Sequence, residues 1–161
     1  VKLIYTRKED TTCSDSRHGG YLHARMGAKK DGTLVALDTT SWLNTGAYCT
    51  FGVELVGVCG ACGTAGTYRI PNLKYVGHPV YTNQQTAGAF RGFGTPQGNS
   101  IVEACIDKIA QALNRDPLDL RKQNTTKNGD RNWFPFELGS VGVDECLDKA
   151  AAEIGWAENV F

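Results

Sequence analysis

Apolar and polar positions alternate from Val1 to Arg7, which predicts a first strand. Lys8 to Gly20 is polar and reads as a turn-rich connection. Alternation resumes from Tyr21 to Lys29 and again from Thr33 to Leu43, with Lys30-Asp31-Gly32 between them. That Asp-Gly step is hairpin turn chemistry, so the two runs predict a long antiparallel hairpin. Asn44 to Gly66 is rich in Gly and Cys and fits either a short helix or an irregular buried segment. Tyr68 to Asn72 reads as a turn, and Leu73 to Thr82 as a further strand. Pro79 inside that run places it at a sheet edge or at a break in pairing.

The period then changes. Ile101, Val102, Cys105, Ile106, Ile109, Ala112 and Leu113 recur at helical spacing, with Glu103, Asp107, Lys108 and Gln111 on the other face. Thr95-Pro96 is read as its start, Thr as cap and Pro at the first helical position. Asp116-Pro117 starts a shorter helix in the same way, running to about Asn124. Lys127 to Gly139 is read as a loop that packs Trp133, Phe134 and Phe136 onto the body. A third helix spans Val143 to Ile154, with Cys146, Leu147, Ala150 and Ile154 inward and Gly155 as its stop. The expected class is α+β, antiparallel strands or a hairpin followed by helices. Residues 1–82 form the strand-rich part, 83–97 a joining loop and 95–161 the helical part of one segment.

Composition narrows the function. In 161 residues, 17 basic and 17 acidic side chains cancel, which argues against a nucleic-acid binder or a polybasic membrane anchor. No apolar run approaches the ~18 residues of a membrane span. A hydrophobic content of 41% is too high for a disordered chain. The chain opens on VKLIYTRKED without an initiator Met and reads as a segment of something longer. Cys13, Cys49, Cys59, Cys62, Cys105 and Cys146 are expected to be free thiols in a reduced, cytoplasmic chain, with Cys105 and Cys146 buried on helices. Cys59 and Cys62 make a CxxC without a second ligand pair, leaving a redox or zinc module as an alternative. His18, His23 and His78 have no partner at ligand spacing. Asp38, Glu54 and Glu103 read as surface or structural carboxylates.

One stretch stands apart, Asn83 to Gln97, joining a strand to a helix N-terminus. It sets Gly88, Gly92 and Gly94 around Phe90, Arg91 and Phe93. A Gly-rich turn entering a helix offers backbone N–H groups to an anion, and an arginine adds a planar cationic fork. The phenylalanines could wall a planar ligand. The same residues also fit a tight loop with two core phenylalanines and an ion-paired arginine.

The run GAFRGFGTPQ resembles the molybdopterin-contacting loop of the xanthine dehydrogenase and aldehyde oxidase family of molybdenum hydroxylases. VKLIYTRKED, His18, GAKKDGTLVALDTTSWLNTGAY, YRIPNLKYVGHPVYTN, DPLDLRKQN and VDECLDKAA resemble that family's flanking segments, in order, over nearly the whole chain. The resemblance implies part of a molybdopterin-binding domain. It implies that Gly88, Ala89, Phe90, Arg91 and Gly92 bind a molybdenum–molybdopterin cofactor, a cytosine dinucleotide form included. Phe93 corresponds to the phenylalanine that stacks on a substrate ring, and Gln97 is read as structural. Iron–sulfur and flavin (FAD) centres would sit on partner domains or subunits and receive the electrons. The substrate would be a small molecule, and neither nucleic acid nor membrane is an expected partner.

The departures limit what the resemblance carries. The family's FGGK segment with its cofactor-binding glutamine would precede Val1, and its catalytic glutamate would follow in a later domain. No catalytic residue or metal ligand is therefore assigned, and the segment alone is expected not to turn over substrate. Purine hydroxylases carry an arginine in the region of Val58 to Cys62, where none occurs here. The carbon monoxide dehydrogenase branch places a cysteine directly after the loop arginine, where this chain has Gly92. Aromatic or N-heterocyclic hydroxylation, aldehyde oxidation and reduction of an aromatic acyl-CoA stay open. So does a non-catalytic scaffold of the same fold.

Overall fold

The computed structural model describes residues 1–131, 133 and 137–156. Two runs form the expected hairpin: β1 (Gly20–Ala28) pairs antiparallel with β2 (Leu34–Gly46), with Tyr21 opposite Trp42 and Arg25 opposite Asp38. The turn closes as its residues require. Gly32 takes φ +88°, the Lys29 N–H donates to the Thr33 carbonyl at 2.9 Å, and Asp31 accepts from the Thr33 N–H at 2.9 Å. β2 is the central strand. Leu37, Thr39, Ser41, Leu43 and Thr45 are buried on its inner face at a period of two.

β3 (Asn72–Tyr81) joins β2 in parallel, so the sheet order is β1-β2-β3. A parallel pair needs a crossover, and residues 47–71 supply it. Both sequence readings of this stretch contain part of the outcome: α2 (Gly52–Val58) is a short helix that runs into a π-helical segment, Cys59–Thr64. As an edge strand, β3 tolerates Pro79, which lies opposite Leu43.

Among the described residues one helix precedes the sheet and three follow it. α1 (Arg7–Cys13) replaces the expected connection, and the expected strand over Val1 to Arg7 does not form. Leu3, Ile4 and Tyr5 find no ladder partner among the described residues and stay exposed. The cause of α1 is local: the Thr6 hydroxyl accepts from the Glu9 N–H at 3.4 Å and Glu9 accepts from the Thr6 N–H at 2.8 Å, a capping box. α3 (Thr95–Leu113) packs on β1 and crosses the π-helical segment. Its cap is Gly94 at φ +94°, so Thr95 and Pro96 are the first two helical residues and Thr95 is not the cap. Val102, Ile106 and Ala110 are buried, whereas Ala112 faces solvent. α4 (Pro117–Asn124) is capped as expected, with Asp116 accepting from the Leu118 N–H at 2.6 Å.

α5 (Val143–Glu153) forms as expected and stops at Gly155, φ +64°, but its apolar side is not an inward face. Cys146, Ala150 and Ile154 are exposed and only Leu147 is half-buried. The helix is tied down by polar contacts instead: Asp144 accepts from the Thr125 hydroxyl at 2.5 Å and pairs with Lys127. Trp133 is also half in solvent rather than packed down, and Phe134 and Phe136 lie outside the described residues.

The buried side chains form two clusters. The larger joins Leu34, Leu37, Ile70, Val102, Ile106 and Leu120 between the sheet and α3–α4. The smaller joins Leu43, Leu55, Val56 and Cys59, with Tyr75 and Phe93 packed against it. This smaller cluster lies beneath Phe93 and Gly94.

Candidate functional site

The chain leaves β3 at Thr82, whose N–H donates to the Gly46 carbonyl at 3.0 Å. Gly46 has φ +74°, and a Cβ there would lie 2.2 Å from the Gln85 carbonyl oxygen, so only glycine lets the lead-in pass. The lead-in is then pinned on both sides. The Ala87 N–H donates to the Thr45 carbonyl at 2.9 Å, the Thr50 hydroxyl to the Ala87 carbonyl at 2.8 Å, and the Gly88 N–H to the Ser16 carbonyl at 3.0 Å.

Beyond Gly88 the backbone rises into an arch. Ala89, Phe90, Arg91 and Gly92 are all exposed, Phe90 by 50%. The arch closes in a left-handed turn, with φ of +91° at Gly92, +41° at Phe93 and +94° at Gly94. Two of its amides are used internally: Phe93 N–H donates to the Phe90 carbonyl at 2.8 Å and Thr95 N–H to the Gly92 carbonyl at 2.9 Å. A positive φ at a phenylalanine is strained. It is sustained because the ring turns down against the smaller core cluster and meets Phe51 edge-on, centroids 5.9 Å apart.

Of the expected site residues, Ala89, Phe90, Arg91 and Gly92 therefore lie along one exposed arch, with buried Gly88 at its foot and Phe93 its half-buried anchor. Among the described residues, the Arg91 side chain makes no ion pair or hydrogen bond, so the ion-paired alternative does not hold. Gln97, read as structural, donates from Nε2 to the His18 carbonyl at 3.1 Å. The three carboxylates read as structural are so placed: Asp38 pairs with Arg25 at 2.6 Å, Glu103 with Arg121 at 2.8 Å, and Glu54 is on the surface.

A segment far away in sequence holds this arch from behind. Arg17 Nη2 donates to the Arg91 carbonyl at 2.6 Å, and its guanidinium carbon lies 4.6 Å from the Phe90 ring centroid. His18 is buried, and burial holds its imidazole below the usual histidine range, while the Asp15 charge and the Gly88 backbone pull the other way. Sequence reasoning passed over Arg17. The available signal was only an arginine beside a histidine in a polar run.

Cys59 and Cys62 lie on the π-helical segment beneath α3. Cys59 is fully buried and burial pushes its thiol up, the reverse of what a redox thiol requires. Gly63 and Gly98 face each other here, and a Cβ on Gly98 would lie 2.5 Å from the Cys59 carbonyl oxygen. The glycines of this stretch thus serve close packing. All six cysteines are free, and Cys146 is exposed rather than buried, because α5 does not press its apolar side on the body. Among the described residues no three His, Cys, Asp or Glu side chains are grouped to hold a metal ion, and no helix is long and apolar enough to cross a membrane.

Residues 1–125 match the molybdopterin cofactor-binding domain family. The chain belongs to that family. Its relatives include the large molybdopterin subunit of nicotinate dehydrogenase from Eubacterium barkeri, 38% identical over 93% of this chain and 35% of that one. The xanthine dehydrogenase molybdenum-binding subunit of Escherichia coli O157:H7 is 34% identical over 97% of this chain and 21% of its own length. Among solved structures, the aldehyde oxidoreductase of Desulfovibrio gigas superposes with a TM-score of 0.85 at 31% identity, over 95% of this chain and 17% of that one. The chain thus spans about a third or less of these relatives. Within the molybdopterin-binding fold the arch lies between the edge strand β3 and the N-terminus of α3.

Proposed function

We propose that this chain supplies the cofactor- and substrate-facing loop of a molybdopterin-dependent oxidoreductase. The observation that carries the reading is the exposed Ala89–Gly92 arch, with an Arg91 guanidinium that has no partner among the described residues, in a chain of this family. Molybdopterin is a flat heterocycle bearing a phosphate. Its demands fit the donors present: the Arg91 fork and the arch amides for an anion, and the Phe90 face for a ring. Gly92 keeps the exposed backbone bare where a ligand would approach, with Ala89 adding only a methyl group, while buried Gly88 leaves room for the Asp15 carboxylate at the foot of the arch.

When bound, the cofactor supplies two-electron redox chemistry, with electrons passing on to iron–sulfur and flavin centres on partner domains or subunits. The chain's own residues bind and orient. Arg91 neutralises the anion, Phe90 flanks the ring, and Phe93 presents the free part of its own ring to a planar substrate. The Leu43–Leu55–Cys59 floor keeps water from beneath the turn. The nicotinate dehydrogenase and aldehyde oxidoreductase relatives support an N-heterocyclic aromatic or an aldehyde as substrate class. The cytosine dinucleotide form of the cofactor is part of the same proposal.

The test is a metal count on the full native complex that contains this chain. About one molybdenum per chain is expected, and Arg91→Ala should lower its retention on the order of tenfold, the loss of one charge-assisted contact. Intact complex without molybdenum would leave a family-shaped scaffold without the chemistry.

A further inference from the structure

We propose that Arg17 is the positioning residue of the arch, fixing the Phe90–Arg91 peptide so that the Arg91 side chain stays free for its ligand. This rests on the proposed role of Arg91. The segment from Ser14 to His18 meets residues 83–97 at four places. Three of them, at Gln85, Gly88 and Gln97, hold its two ends. Arg17 alone reaches the arch, through the 2.6 Å bond to the Arg91 carbonyl and the 4.6 Å approach to the Phe90 ring.

The arch needs such a contact. Ala89 to Gly92 are exposed, so burial does not hold them, and Gly92 at φ +91° is the most permissive residue type available. A guanidinium can serve both neighbours at once, because it donates in its plane and stacks through its face. Arg17 is also no ordinary surface arginine. Its Nη1 is buried and, among the described residues, has no hydrogen-bond partner. The pose it takes serves Phe90 and Arg91 together. Arg91, in contrast, contributes only its carbonyl to the contact.

The experiment uses the full native complex carrying Arg17→Met or Arg17→Gln. Hydrogen exchange is followed in peptides covering 88–94 and, as control, the hairpin 21–43, together with molybdenum per chain. Exchange in 88–94 should rise about tenfold with the hairpin unchanged. Molybdenum retention should fall in parallel, and Arg17→Lys, which keeps the charge and a donor, should recover part of both. Unchanged exchange in 88–94, or an equal rise in 21–43, would overturn the proposal, since the second result describes a general stabiliser. If Arg17→Met does not fold, Arg17→Lys and Arg17→Gln still decide: a positioning role orders arch exchange as parent, Lys, Gln, and any other order refutes it. Parent complex without molybdenum would defeat the proposed function, while the exchange comparison would still judge Arg17.

Discussion

Gly94 and Gly129 have nearly the same backbone angle, φ +94° and +86°, in very different surroundings. A Cβ on Gly94 would sit 2.5 Å from the Leu55 carbonyl oxygen and 2.9 Å from the Cys59 amide nitrogen, both backbone atoms in the crossover. Among the described residues nothing lies within 4 Å of the corresponding point on Gly129. Gly129→Ala should therefore cost only the left-handed strain, about 1 kcal/mol. Gly94→Ala adds a collision that neither partner can relieve by turning a side chain, and should cost about 3 kcal/mol or more. Denaturant midpoints of the two variants, compared at equal slope, check this. Equal costs would mean that the crossover yields, and that the seat of the arch is softer than its packing implies. At this scale the sequence was informative where chemistry is local. Arg91 and its glycines stand out in ten consecutive residues, whereas Arg17 contributes from 74 positions away and carries no mark of it.

α5 is a helix whose apolar stripe buries nothing fully, so its attachment depends on charge. The Lys127 ammonium and then the Thr125 hydroxyl hold the Asp144 carboxyl below its ordinary value, and Lys122 adds to the pull while pairing with Asp148. A carboxylate with a depressed folded-state pKa contributes stability that is complete above its unfolded value. That contribution is lost as pH falls through the lower folded value. Below about pH 4, α5 should thus loosen before α3, and Asp144→Asn should remove that acid dependence while leaving a weaker attachment at neutral pH. Amide exchange in 143–153 against 101–110 across an acid titration measures it, and simultaneous loosening would refute it. Elements with their own end signals were legible, as Asp116 at α4 and Lys30-Asp31-Gly32 in the hairpin illustrate. Val1 to Arg7 misled because alternation alone predicts a strand without supplying a neighbour to pair with. Thr6 and Glu9 already spelled the capping box of the helix that forms there. The apolar stripe of α5 misled for the related reason that amphipathicity names a face but not what covers it.

Taken as a molecule, the domain divides its interior between two clusters, and the division decides what each can affect. The α+β order and the resemblance of GAFRGFGTPQ were legible because both are written along the chain. The parallel seating of β3 was not, because strand alternation is indifferent to direction and the crossover through Cys59–Thr64 has no ordinary helical period. That crossover builds the smaller cluster, and Phe93 docks on it. The larger cluster joins the sheet to α3 and α4 without touching the arch. Leu55 and Ile106 are both 1% exposed, so Leu55→Ala and Ile106→Ala should each cost about 3 kcal/mol of global stability. Their local effects should separate. Leu55→Ala withdraws support from under Phe93 and should speed exchange in 88–94 beyond the change in global stability, whereas Ile106→Ala should leave that ratio unchanged. If both variants raise arch exchange only in step with global unfolding, the interior acts as one cooperative unit and the floor has no separate hold on the arch.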